Sequence, residues 1–413
     1  MLKNIAALGL FFAQTYLVLE GEYLFGRAEN PFVLFAVSLA IPIYFFRIHL
    51  STPQQIGQPS RLRWTGIALG MLSFLVCFWG LRRLFWDLPD PAHWSDVIPQ
   101  IDALYTRFAR GEFPYKTLQQ FLWYPYPVYM PMHWLPLWIT YALNIDVRWA
   151  GVFLMVLAGG VYGWSAWGYN NSVVKKVLVV LLPSVVVWAF LVWGRFDLGV
   201  SYETTIAAYY LVLAVGLNSK NLVITTIGII LCLLSRYTMV FWLPLFLLLL
   251  LMNAPIKKNL IVWLSILLSI VFVYIIPFYA KDPKILVNGL TYHNECAVGE
   301  WVGFGNPPFS ATFVSGIYFG EYLRSIFSGD MEHRVFQARI LQALLMIGLV
   351  ITGLVLHKKW KHKLDIYDIS LPMLYVFLLF FFMFGVLTYT YYYFPLLMIS
   401  GLLCGRIMLA GKK

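Results

Sequence analysis

The chain has 413 residues, of which 61% are hydrophobic and only 12% charged, with a formal net charge of +11. Soluble domains carry about 25% charged residues, so this composition excludes a soluble globular domain. The positive balance does not mark a nucleic-acid binder, because the basic residues fall in short loops between apolar runs.

Crossing a bilayer takes about 20 apolar residues, and in lipid every backbone polar group must be paired within the spanning element. These runs are therefore expected to be helices; the short alternating segments of a membrane barrel are absent. The expected fold class is an all-α polytopic membrane protein with about 12 transmembrane helices and two long outer loops carrying amphipathic or re-entrant helices.

In chain order, the hydropathy pattern predicts helices over 4–25, 31–47, 65–85, 149–169, 177–194, 198–217, 221–235, 237–252, 260–279, 338–356, 366–387 and 391–409. The first begins beside Lys3, and Glu20 and Glu22 follow it with no convincing cleavage site, so it reads as a retained helix rather than a signal peptide. Alternate loops differ in charge. One set holds Arg47, Arg61, Arg63, Lys175, Lys176, Lys220, Lys257, Lys258, Lys358, Lys359, Lys361 and Lys363, then Arg406, Lys412 and Lys413 in the tail, with only Asp365 and Asp368 as acids. The other set receives nearly all the remaining Asp and Glu and both long loops, about 86–148 and 280–337. The positive-inside rule then puts both termini in the cytoplasm and both long loops outside. This threading requires that 126–145 does not cross; Pro127, Pro131, His133 and Pro136 interrupt it, and it is expected to be re-entrant or interfacial. The expected organisation is an N-terminal helix pair (1–64), a transmembrane module (65–279), the second outer loop (280–337) and C-terminal helices (338–413).

The first long loop is the most informative segment. Ile98, Ile101, Leu104, Tyr105 and Phe108 recur at helical spacing, predicting a short amphipathic helix on the membrane surface. Asp102, Thr106, Arg107 and Arg110 fall on its other face, Gly111 ends it, and Asp96 stands just before it, where the helix dipole favours a carboxylate. Downstream lie Gly111-Glu112-Phe113-Pro114-Tyr115 and a Tyr/Pro-rich stretch that begins near Tyr126. Further along come a helix ending at Trp193-Gly194-Arg195-Phe196-Asp197, another starting Ser201-Tyr202-Glu203, then Ser235-Arg236-Tyr237 with Pro244, and the aromatic run TYTYYYFP ending at Pro395.

This ordered set resembles the polyprenyl-phosphate-sugar-dependent glycosyltransferases of superfamily C, above all their mannosyltransferase-like bacterial branch, over roughly residues 65–409. The resemblance implies a bacterial inner-membrane enzyme that moves a sugar, mannose by this likeness, from a lipid-linked phosphosugar to a glycan, glycolipid or protein acceptor on the non-cytoplasmic side, with inversion. It matches Asp96 to the family's external Asp and Arg236 to its basic residue at an outer helix end. No cofactor, metal or nucleic-acid partner is implied.

Elementary chemistry fits that outline. An acceptor hydroxyl needs a general base, for which Asp96 is the candidate. A phosphate leaving group departs without a proton, so cations that hold it replace the second carboxylate of a glycosidase. Arg236 is the candidate cation, assisted by Arg195; an arginine between two apolar runs wants an anionic partner. Glu203, just inside a helix, is expected to orient an arginine or touch the sugar. The competing accounts are an N-terminal helix cap for Asp96, a snorkelling side chain for Arg236, an internal ion pair for Arg195 with Asp197, and a solvated helix face for Asp102, which is otherwise a substrate-binding candidate. Tyr126 and Tyr392 complete the expected substrate-binding set, although tyrosines at this depth also serve as an interfacial belt. In the second outer loop, His293, Glu295, Cys296 and Glu300 fit no familiar metal spacing, and His293 is assigned to an acceptor-binding loop. The rival functions are a glycan polymerase or ligase using a lipid-diphosphate donor, and a lipid or solute transporter; no internal repeat of transporter type is visible.

Overall fold

The computed structural model describes residues 2–51, 63–87, 95–119, 124–194, 197–304 and 310–410. Every long apolar run within them is helical. In chain order the helices are α1 (Leu2–Phe25), α2 (Asn30–Ser51), α3 (Arg63–Asp87), the surface helix α4 (Val97–Ala109), α5 (Pro131–Trp134), α6 (Trp138–Leu143), α7 (Trp149–Trp167), α8 (Val173–Val192), the single turn α9 (Asp197–Val200) and α10 (Glu203–Asn218). There follow α11 (Leu222–Leu233), α12 (Met239–Asn253), α13 (Ile256–Ile270), α14 (Ile285–Val302), α15 (Ala311–Val314), α16 (Gly320–Ile326), α17 (Met331–Trp360), α18 (Ile366–Met383) and α19 (Tyr393–Leu409). Among the described residues, nine helices are long and apolar enough to cross a membrane, counting α13 with its π-helical continuation to Tyr279 and α19 with the 3-10 turn before it. The protein is an all-α, multi-spanning membrane protein. At 16, 12 and 15 residues, α10, α11 and α12 are shorter than a full span.

One difference from the sequence reading bears on the site: the helix expected over 198–217 is broken, with α9 ending at Val200 and α10 opening on Glu203. The second long loop, expected to carry a helix, contains α14.

Burial sorts the helices into a centre and a periphery. The windows of α18 and α19 are 83% and 94% buried, whereas those of α13 and α17 are 17% and 22% buried and turn apolar side chains outward, as lipid-facing helices do. α10 buries every residue except Val212 and packs on α7, α11 and α19. α1 packs on α2 and α19, and α2 also touches α18, so the N-terminal pair closes around the C-terminal helices. The tightest approach joins α3 to α7. Gly66 and Gly70 face Gly159 and Gly163, and a Cβ at Gly66, Gly70 or Gly163 would overlap a carbonyl oxygen of the opposite helix. This is the small-xxx-small packing by which membrane helices bring backbones together.

Charge is divided between the two ends of the bundle. At the basic end, Asp368 pairs with Arg406 and with Lys220 (3.0 Å), Lys220 also reaches Asp365 at 2.5 Å, and Lys3 donates to the Ala410 carbonyl. The two acids expected on that side are thus used to tie α18, α19 and the α10–α11 turn together. At the opposite end lie the two long loops. There α4 lays Ile98, Ile101 and Leu104 against Trp134 and Leu137 of the broken segment, with Tyr274 and Phe278 of the π-helical stretch behind them. The run from Pro131 to Leu143 is three short pieces, α5, a 3-10 turn and α6, together about 20 Å long at helical rise, too short to cross a 30 Å core.

Candidate functional site

The site assembles around Arg236, in the five-residue turn between α11 and α12. Three interactions fix that turn. Ser235 Oγ donates to the Cys232 carbonyl at 2.9 Å, Tyr210 OH and Thr238 Oγ1 share a hydrogen bond of 2.7 Å, and Met132 N donates to the Leu234 carbonyl at 2.8 Å. The last joins the turn to the broken segment. The guanidinium points inward, and its Nη2 ion-pairs with the carboxylate of Glu203, whose side chain is only 2% exposed against 15% for Arg236. Glu203 is the first residue of α10, where the helix dipole favours a negative charge. Its second oxygen, Oε2, is buried without a hydrogen-bond partner. The ring of Tyr392 lies under the guanidinium at 4.5 Å, a cation–π contact. Arg236 therefore does not snorkel; a carboxylate and an aromatic face hold it.

Asp96 occupies the N-cap position of α4 but makes no side-chain cap hydrogen bond; Ser95 Oγ accepts from Val97 N at 3.2 Å instead. The Asp96 carboxylate accepts a hydrogen bond from Gln100 Nε2 at 2.7 Å, and Gln100 is itself buried. Asp96 acts electrostatically on Tyr129, Tyr389 and Tyr392, the same tyrosines that feel Arg236 or its neighbours. Burial first, and the Asp96 charge second, push the Tyr129 phenol well above its usual range, so it stays a hydrogen-bond donor. Asp96, Glu203, Arg236 and Tyr392 thus converge at the loop end, brought together from four elements far apart in sequence.

The other expected residues separate. Asp102 accepts from Tyr141 OH at 2.7 Å, and burial raises its carboxyl above the ordinary range; it is tied to α6 rather than to the cluster. Tyr126 donates to the Tyr115 carbonyl at 3.4 Å and supports the wall behind the turn. His293, on α14, meets Arg339 of α17 at 3.0 Å, away from the cluster's ion pair. Arg195 lies outside the described residues. Among those residues, Asp197 makes no side-chain ion pair or hydrogen bond.

Other residues beside the cluster come from the broken segment and from α14. His133, from the proline-broken segment, is 1% exposed, sits between the rings of Tyr129 (4.7 Å) and Tyr202 (5.9 Å), and lies near Arg236; the Ser235 backbone is the polar group beside it. Cys296 and Glu300 of α14 are electrostatic neighbours of Tyr389, and Cys296 is also one of Asp96, so one face of this helix looks onto the cluster. The signal for His133 was present, as a lone polar ring inside an apolar, proline-interrupted run. Among the described residues, no group of three or more His, Cys, Asp or Glu side chains is placed to hold a metal ion.

The chain matches no protein-family model, no curated protein and no solved structure. Fold and site define it as a polytopic helical membrane protein with a charged, tyrosine-lined cluster at one end. Its architecture is consistent with the layout of the superfamily C glycosyltransferases.

Proposed function

We propose that the protein is a membrane glycosyltransferase of the superfamily C type, transferring a sugar, mannose by resemblance, from a polyprenyl-phosphate carrier to an acceptor on the non-cytoplasmic side. In this reading α10, α11 and α12 join the nine long helices as spans, both termini are cytoplasmic, and the membrane is the bacterial inner membrane. The observation that carries the proposal is the convergence of one carboxylate, Asp96, with one buried guanidinium, Arg236, beside a turn of stacked tyrosines.

The chemistry follows from those groups. Asp96 removes the acceptor hydroxyl proton as that oxygen bonds to the anomeric carbon on the face opposite the phosphate. The carbon–oxygen bond to phosphate breaks, and the polyprenyl phosphate leaves with the electron pair. Arg236 neutralises the charge that grows on it. Glu203 is a positioning residue, since it aims the guanidinium, and Tyr392 supports it from below. Tyr129, kept protonated, donates to a sugar or phosphate oxygen.

The test is transfer from radiolabelled polyprenyl-phosphate-mannose into a membrane extract by the full chain in liposomes. The Asp96→Asn variant is expected to lose at least a thousandfold in rate while keeping the wild-type elution volume and melting temperature. Near-normal turnover by that variant removes Asp96 from its role. Absence of transfer by folded wild type, with mannose and other polyprenyl-phosphate sugars, removes the reaction.

A further inference from the structure

A second feature of this end of the bundle borders the same tyrosine turn. A cleft of about 550 Å³ opens between the outer end of α1, the α8–α9 junction and the start of the turn, lined by Glu20, Glu22, Tyr23, Trp193, Asp197 and Thr390 among others. Its volume falls in the range of small-molecule sites, roughly 300–1,000 Å³. Two of its walls are rings open to an occupant: Tyr23 is 78% exposed and Trp193 39%. Trp193 is held edge-to-face by Tyr16 (6.4 Å) and Trp188 (5.5 Å), which fixes its orientation. Glu22 is already paired with Arg27 at 3.3 Å, whereas the half-buried Asp197 makes no side-chain ion pair or hydrogen bond among the described residues. The same turn joins the two regions, Thr390 facing the cleft and Tyr392 lying under Arg236.

The lining selects its occupant. Among the described residues that line it, the charged groups are the carboxylates of Glu20, Glu22 and Asp197. The carboxylates are not grouped to hold a metal ion. Hydroxyl groups suit them, because a carboxylate only accepts hydrogen bonds and a sugar ring offers several donors on its edge and C–H groups on its face. We infer that this cleft is the acceptor subsite and that it takes a neutral saccharide, stacked on Tyr23 and Trp193 and hydrogen-bonded by Asp197, Glu20 and Thr390. This rests on the sugar-transfer reading and gives the N-terminal helix a role in it.

The experiment is saturation-transfer NMR on the full chain in nanodiscs with α-mannobiose as probe, mannose 6-phosphate as anionic control and ethanolamine as cationic control. Mannobiose is expected to show saturation, with either control at least fivefold weaker. Asp197→Asn and Tyr23→Ala should each lower the mannobiose signal at least fivefold; the exposed Tyr23 ring has little packing to lose, so its variant folds even where a change at Asp197 does not. No mannobiose signal, an equal signal in wild type and Tyr23→Ala, or preference for ethanolamine overturns the subsite. Mannobiose binding lost in the cleft variants, combined with no turnover of any polyprenyl-phosphate sugar, keeps the saccharide site and rejects the transfer reading, so the two fail separately.

Discussion

The Arg236–Glu203 pair gives the most direct test of how the site is built. Removing one member of a buried ion pair leaves an uncompensated charge and costs about 3–5 kcal/mol. Arg236→Ala should fall at the upper end, because the Glu203 side chain is 2% exposed and its second oxygen already lacks a hydrogen-bond partner. Glu203→Gln should fall lower, since the guanidinium keeps its Tyr392 contact, worth about 0.5–2 kcal/mol, and is 15% exposed. Replacing both by apolar residues of similar volume, Arg236→Met with Glu203→Leu, should restore stability to within about 1 kcal/mol of wild type, as exchanges of buried pairs commonly do. With Arg236→Met and Glu203→Leu also measured singly, the double-mutant cycle should show a coupling of at least about 2 kcal/mol, well outside the roughly 0.5 kcal/mol expected of independent sites. Unfolding by SDS in mixed micelles, followed by near-ultraviolet circular dichroism, supplies the free energies. Transfer assays on the refolded double variant should find no activity, which separates the pair's role in stability from its role in chemistry. Additive single-site losses would mean that the two side chains do not share a buried contact. A fully active double variant would mean that the leaving phosphate does not need Arg236.

Three further outcomes are expected. Tyr392→Phe should keep donor KM within twofold, while Tyr392→Ala should raise it about 3- to 30-fold, the equivalent of a cation–π contact of 0.5–2 kcal/mol; equal effects of both changes would place the interaction in the hydroxyl. Gly163→Leu should prevent α3 and α7 from docking and abolish the monodisperse folded species, whereas Gly80→Leu, with open space around its Cβ position, should be tolerated; matching behaviour would refute the close approach. Burial pushes the Asp197 carboxyl up to about 7 from an ordinary 3.8, so the folded state holds more protons than the unfolded state between those values. Its contribution to stability is therefore complete below about pH 4 and is lost as pH rises to about 7, by at most about 4 kcal/mol and less because its edge meets solvent. Asp197→Asn should flatten melting temperature against pH across that window, and an unchanged slope would show that the carboxyl is hydrated.

What was legible in the sequence is what the bilayer dictates. Apolar length and loop charge located each long helix, and the 3.6-residue spacing of Ile98, Ile101, Leu104 and Phe108 located α4, because those signals come from burying one face. Asp96, Arg236 and Glu203 stood out because a charge beside or within an apolar run needs a reason. Their pairing did not stand out, since Glu203 and Arg236 are 33 residues apart and nothing in the sequence says which helix ends meet. His133 was hidden for the same reason, its surroundings being supplied by Tyr202 and by the turn after α11. Asp102 shows the same limit: the sequence places it on the outward face of an amphipathic helix, and its partner Tyr141 comes from α6, 39 residues on.

The placement of polar groups along α10 bears on whether the protein moves its substrate or modifies it. Glu203 opens the helix at the end that carries the two long loops, and the hydroxyls of Tyr209 and Tyr210 reach back to the Met132 carbonyl (3.0 Å) and to Thr238 (2.7 Å). From Leu211 to Leu217 the helix is apolar and almost wholly enclosed by its neighbours. Polar groups return only at Asn218, which donates to Ser165 Oγ at 3.1 Å, and at Lys220 with its two acids. A carrier would have to hydrate that stretch or slide charged groups past it, at several kcal/mol for each group left unpaired. A transferase needs nothing from it beyond rigidity. Having one end of the central helix hold the paired charges while the other anchors the bundle is the arrangement expected when donor and acceptor meet on a single face of the membrane.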